Sequence, residues 1–374
     1  MPSENEVVVA CAGSGKTTYL LKRALEDPTK RTLIVTYTNE NLREINAGLW
    51  RESSGNHPHV DTMSIFELLL RECIKPYQTY KTGIAQVRSL NFVTPRPRYA
   101  SRSDFQAYYL DDSGNVYSDE ASDLAFHLNE ESGGEVITRL EAIYDAICVD
   151  EMQDLAGWDL DFVDLLLHSS IDVTLVGDPR QVVYFTNQST KNKSKKGAKI
   201  VDWIEDRVQA GVCRKLENAH SYRCVQTICN FADALFPNMT STTSYNDERT
   251  GHDGVFLVKA GDVEAYRAAY EPQELRWDRN CKSAGASAKN FGEVKGRTFQ
   301  RVLIHPTKTI SRYVETGSEL ADATKCKFYV AITRARQSVA IVTDKTTTST
   351  SLPIWSPKLH QEVRIDGGAG HASL

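Results

Sequence analysis

Two short stretches hold residue types whose spacing can do phosphate chemistry. The first is VVVACAGSGKTTYL, residues 7–20. An apolar run, Val7–Val9, leads into Ala10-Cys11-Ala12-Gly13-Ser14-Gly15-Lys16-Thr17-Thr18 and then a helical pattern. The small residues Ala12, Gly13, Ser14 and Gly15 let successive N–H groups, on through Thr18, point at phosphate oxygens. The helix N-terminus that follows adds partial positive charge. In such a loop Lys16 reaches the β- and γ-phosphates and the Thr17 hydroxyl a Mg2+ ion. Ala10 stands where the strict pattern has its first glycine. The second stretch is AICVDEMQD, residues 146–154. An apolar strand ends there in Asp150, a further Mg2+ ligand, and in Glu151, placed to orient and deprotonate an attacking water. An acidic helix cap would explain one carboxylate, but not Gln153 and Asp154 as well. The chemistry implied is hydrolysis of ATP with Mg2+.

Composition leaves room for this and excludes little. The 374 residues suffice for two globular domains and a small insertion. With 41% apolar and 25% charged residues, the chain reads as neither disordered nor collagen-like. No apolar run nears the ~18 residues of a membrane span. The start, MPSENE, is acidic and polar and does not read as a signal peptide. The eight cysteines form no CxxC framework, and the nearest pair, Cys224 and Cys229, has no zinc-like His spacing. Reduced thiols and a cytoplasmic location are therefore expected. A net charge of −5 argues against a generic nucleic-acid coat protein. A local basic channel remains compatible with it, because screening acts over about 8 Å.

The elements that must position these residues alternate as parallel α/β layers do. EVVVACA, RTLIVTYT, AICVDE, DVTLVGD, GVFLVKA, QRVLIHP and SVAIVTD read as buried strands. Residues 16–25, 40–51, 159–168, 223–235 and 318–330 read as helices. Residues 76–140 break the rhythm and read as an insertion, with a hairpin at YYLDDSGNVY. Residues 187–199 form a Lys-rich loop, read either as solvated or as a holder of phosphate backbone. The tail from 346 reads as poorly ordered.

The segments ACAGSGKT, VTYTNENLREI, VDEMQD, VGDPRQVVY, SYR, VKGRTFQRVLI and YVAITRAR follow one another in the order of the motifs of UvrD/Rep-like superfamily 1A DNA helicases. The chain resembles that family from residue 7 to about residue 342. The resemblance implies an α/β fold of two RecA-like P-loop domains with parallel sheets, ATP between them, and 3′ to 5′ translocation on single-stranded DNA. The domains would be 1–75 with 141–205 (first motor domain), 76–140 (insertion), 206–345 (second motor domain) and 346–374 (tail). It makes Gln181 the γ-phosphate sensor, Arg223 and Arg334 the arginine fingers of the second domain, and Tyr222 the adenine-stacking residue. Taken singly, each arginine also reads as a solvated helix charge, Gln181 as a turn residue and Tyr222 as a half-buried core residue. Thr36, Tyr37, Asn39 and Thr62 would lie on DNA, with Phe66 a weaker match, and Lys295 in the motif that couples DNA to nucleotide.

The chain departs from the pattern in several places. The glutamine that reads the adenine edge is missing ahead of the loop, the first being Gln78. ATP and GTP are therefore expected to be hydrolysed alike. Thr298 stands at the family's glutamate, Ser64 at its histidine, and Thr186 at an aromatic position, with Phe185 beside it as a substitute. Only 72 positions separate Arg223 from Lys295, too few for the large regulatory domain of full-size relatives. The alternative reading of this small motor is a nucleotide-gated regulatory ATPase acting with a partner nuclease or other operon partner, as in antiphage defence. A P-loop kinase would leave Gln181, Arg334 and the second half without a role. No separate nuclease site is visible.

Overall fold

A computed structural model describes residues 4–80, 86–183, 191–281, 284–344 and 352–357. The Thr186 and Phe185 positions, the start of the Lys-rich loop and most of the tail lie outside the described residues. The chain divides into two compact units, Met1–Ala10 with Gly15–Asn218, and Cys11–Ser14 with Ala219–Leu374.

In the first unit six strands form one sheet in the order Val60–Ser64, Thr32–Thr36, Ala146–Val149, Asp172–Gly177, Glu6–Ala10, Arg214–Asn218. Every neighbouring pair is parallel. The apolar runs follow from burial on both faces. Val7, Leu33, Val35, Ile147 and Val149 enter one core, with helices Ala121–Glu131, Glu135–Ile143 and Trp158–Leu167. Val8, Ile34 and Cys148, one residue out of step, enter the other with helices Lys16–Leu25 and Asn39–Glu52. A single-residue alternation thus splits each strand between two cores.

The hairpin expected at residues 108–117 is reduced to a tight turn. Phe105–Tyr109 is helical, capped by Asp104, whose carboxylate accepts from Ala107 N–H at 3.1 Å. Phe105 and Tyr109 pack at 4.5 Å. Only the Leu110–Val116 antiparallel bridge survives across the Asp111–Asn115 turn, and Val116–Tyr117 pairs instead, in parallel, with Leu90–Asn91. Local capping and ring packing outweigh the turn signal on the Tyr108–Tyr109 side.

The second unit repeats the plan: Lys289–Asn290, Gln273–Arg276, Phe299–His305, Ala335–Thr343, Gly254–Lys259 and Ile354–Trp355, all parallel. Its core gathers Leu257, Val302, Ile304, Val339 and Ile341 with Ile228 and Phe328 of the flanking helices. Two expected helices start late. Val225 and Ala321 are extended, so the helices run Gln226–Asp233 and Asp322–Ile332. All eight cysteines are free thiols. Among the described residues no helix is long and apolar enough to cross a membrane. The expected α/β class, with a parallel sheet in each half, is the observed one.

Candidate active site

In the first unit, the strands that carry Ala10, Val149 and Gly177 lie side by side in the sheet. Parallel strands deliver their C-terminal ends to one edge, the edge where α/β sheets bind ligands. Glu6–Ala10 ends at the glycine loop, and Lys16 opens the helix behind it. Gly15 (φ 79°) and Gly13 (φ 78°) take left-handed backbone, which turns the chain back on itself within the loop. The Lys16 ammonium donates to Ala10 O at 3.5 Å, folded over its own loop. Thr17 is half-buried on the first helical turn and Thr18 is exposed.

The strand Ala146–Val149, next but one in the sheet, ends at buried Asp150, whose N–H donates to Val35 O at 2.9 Å. Glu151 follows in left-handed backbone (φ 56°, ψ 44°), uncommon outside glycine and recurrent at functional positions. The Gln153 amide donates to the Glu151 carboxylate through a short hydrogen bond, while its Oε1 accepts from Asp178 N–H at 2.9 Å. Asp178 ends the third strand and is fully buried. Burial pushes its carboxyl up, but the Arg180 and Lys16 charges and hydrogen bonds from Arg180 and Gln181 hold it below the usual carboxylate range. Gln181 Nε2 donates to Asp178 Oδ2 at 2.8 Å, and Arg180 Nε to Oδ1 at 2.8 Å. Glu151, Gln153, Asp178 and Gln181 therefore form one chain of hydrogen bonds. Asp178, Arg180 and the bridging role of Gln153 were missed in the sequence, where the only available sign was their place inside two quoted motifs.

Of the residues expected on DNA, Thr36 is buried at its strand end, with its hydroxyl unpartnered among the described residues. Tyr37 is half-buried, edge-on to Phe66 at 6.3 Å, with its hydroxyl 3.5 Å from Asp159. Asn39 is exposed at the start of its helix, after the cap residue Thr38. Thr62 donates to Asn46 at 2.8 Å. Ser64, at the family's histidine, caps the helix from Ile65, accepting from Glu67 N–H at 3.1 Å.

The second unit includes the loop tip, Cys11–Ser14. There Tyr222 N–H donates to Gly13 O at 2.9 Å and the Ser221 hydroxyl to Ala12 O at 2.7 Å. Tyr222 is exposed and lies 5.3 Å from Tyr245, also exposed, a neighbour the sequence did not reveal. Arg223 and Arg334 converge on Thr333, Arg223 at its carbonyl (3.3 Å) and Arg334 at its hydroxyl (3.3 Å). Arg334 is 1% exposed, and its guanidinium also donates to Val330 O and Arg297 O. Arg297 lies two residues beyond Lys295, so the expected coupling segment touches the expected finger through one backbone carbonyl. Thr298, at the family's glutamate, is exposed.

A parallel sheet that presents such a glycine loop beside paired acidic residues defines a nucleotide-binding protein of the P-loop kind. A family model described as an AAA domain matches residues 1–187, and one described as the viral superfamily 1 RNA helicase core domain matches residues 136–343. The chain belongs to the superfamily 1 helicases. No curated protein matches its sequence. Among solved structures it is similar to the crystal structure of Arterivirus nonstructural protein 10 (helicase), at 15% identity and a TM-score of 0.45, over 92% of this chain and 60% of that one. The complex of that helicase with DNA gives 15% identity and a TM-score of 0.41, over 92% and 62%. The chain thus spans about 60% of the length of these structures.

Proposed function

We propose that the chain is an ATP-driven translocase and helicase of the UvrD/Rep-like kind, moving 3′ to 5′ along single-stranded DNA. The observation that carries this reading is the hydrogen-bonded chain Glu151–Gln153–Asp178–Gln181, on two neighbouring strand ends, the second of which lies beside the strand that leads into Lys16. A base and a sensor tied together in this way act on the same phosphate. Ala12, Gly13, Ser14 and Gly15 present N–H groups to the triphosphate, and Lys16 meets its terminal oxygens. Glu151 takes the proton of the attacking water and Gln181 orients that water. Thr17 and Asp150 fit Mg2+, because both offer hard oxygens and the ion keeps water and phosphate for its remaining positions. When bound, the ion neutralises charge on the β- and γ-oxygens. Arg223 and Arg334 grip the γ-phosphoryl charge, and Tyr222 stacks on the base. Loss of that grip after hydrolysis converts chemistry into movement. Tyr37, Asn39, Thr62 and Lys295 hold the strand, with Tyr37 stacking on a base and Thr36 buried beneath it.

The matched helicase-core family is named for RNA, which favours one further reading, the same motor on single-stranded RNA. Both are tested by ATPase rates with no polymer, with poly-dT and with poly-U, for the wild type and Glu151→Gln. The expected outcome is stimulation by poly-dT that Glu151→Gln abolishes while nucleotide binding persists. A wild-type rate left flat by both polymers overturns the motor reading. Duplexes tailed at either end then read polarity, and displacement from 5′ tails alone overturns the stated direction.

A further inference from the structure

Exposed apolar side chains scattered singly over a surface need no explanation. Three of this chain's large ones fall within eight residues of the insertion: Phe92 (62% exposed), Val93 (91%) and Tyr99 (89%). Phe92 is not on a loose tip. Asn91 Oδ1 accepts from Val93 and Thr94 N–H at 2.9 and 3.1 Å, and its amide donates to Thr94 Oγ1 at 2.7 Å and to Asp111 at 2.9 Å. Asn91 is itself paired in the small parallel ladder with Tyr117. A built turn therefore holds Phe92 out in water.

Phe92 also continues a line of rings. It packs edge-to-face with Phe66 at 4.9 Å, and Phe66 packs the same way with Tyr37 at 6.3 Å. Tyr37 and Phe66 are half-buried, whereas the exposure of Phe92 leaves room for a planar group on its ring. Along the chain, the charge that flanks it has one sign. From residue 73 to residue 103 the chain holds six Lys and Arg and no Asp or Glu, within a protein of net charge −5. Arg96 and Arg102 are neutralised from outside that stretch by Glu120 (2.8 Å) and Asp123 (2.5 Å). Arg88 and Arg98 are exposed and have no ion-pair partner among the described residues. An exposed ring on a built turn, with two arginines that lack ion-pair partners close to it along the chain, suits a polyanion with stackable planes.

We infer that this face of the insertion is a second contact for single-stranded nucleic acid, with a base stacked on Phe92 and phosphates met by Arg88 and Arg98. The inference rests on the motor reading above and adds to it a contact outside the seven motifs. In this place the insertion lengthens the strand path that begins at Tyr37.

Fluorescence anisotropy with labelled dT and U oligonucleotides, and with abasic strands of equal length, tests it. Phe92→Ala is expected to weaken binding of base-bearing strands about tenfold and leave abasic strands unchanged. Phe92→Trp keeps the affinity, and its fluorescence is quenched on binding. Arg88→Gln with Arg98→Gln weakens all strands and lowers the salt slope by about 0.7 per arginine. ATPase without nucleic acid stays at the wild-type rate in each variant, which controls for folding. If Phe92→Ala binds base-bearing strands as the wild type does, the inference is overturned and the face is left to a protein partner. If the wild type binds no strand at all, the motor reading fails first.

Discussion

At Glu151 local backbone preference conflicts with the proposed role of the side chain as the base. A side chain in left-handed backbone costs roughly 1–2 kcal/mol against ordinary helical backbone, and glycine avoids most of that cost. Glu151→Gly is therefore expected to lose hydrolysis yet gain about 1 kcal/mol of stability, read from urea denaturation beside a single-turnover assay. A variant both inactive and markedly less stable would mean that the Gln153 hydrogen bond outweighs the strain. The places of Lys16 at a helix start and of Asp150 and Glu151 after a strand were legible in the sequence, because a glycine loop and a doubly buried strand constrain residue types directly. The Asp178–Arg180 pair was not. Aspartate and arginine two positions apart normally read as a solvated turn, and only burial of both makes the pair structural. Likewise Thr36 looked like part of a strand-binding motif, and its complete burial could not be read from its type.

Among the elements, the turn at residues 150–154 and the strand Asp172–Gly177 depend on each other. A Cβ on Gly177 would sit 2.2 Å from Gln153 Oε1, 2.7 Å from Met152 Cγ and 3.0 Å from Met152 N. The Met152 amide is backbone and cannot swing aside. Gly177→Ala is expected to push the turn off the strand, costing about 1–3 kcal/mol and lowering kcat more than nucleotide affinity. Thermal midpoints and a kcat against KM comparison check this, and an unchanged kcat would separate the turn from the chemistry. The central strands were legible because burial on both faces leaves continuous apolar runs. The edge strands Val60–Ser64 and Arg214–Asn218 were not, since an edge is polar by need. Arg214 pairs with Glu6 and Lys215 with Glu205, which gives RKLEN the look of a loop. The hairpin reading failed because a capped helical turn claimed residues that the Asp/Gly turn signal had assigned to a strand.

For the whole molecule, the proposed motor asks side chains from both units to serve one reaction. Arg334 is the test, because its charge also holds the backbone carbonyls of Val330 and Arg297 within its own unit. Arg334→Lys keeps the charge but loses the planar fork. It is expected to lower nucleic-acid-stimulated kcat about a thousandfold while nucleotide binding changes little. A wild-type kcat in that variant would leave the second unit outside the chemistry. Residue types and their order were enough to determine a glycine loop between strand and helix, acidic residues at a second strand end and two parallel α/β halves, because such loops and doubly buried strands constrain composition directly. Folding in three dimensions decided which polar side chains are buried and paired, that Arg223 and Arg334 meet at Thr333, and that Phe92 stands exposed in line with Tyr37. Those outcomes depend on contacts between residues far apart in the chain, and no local pattern encodes them.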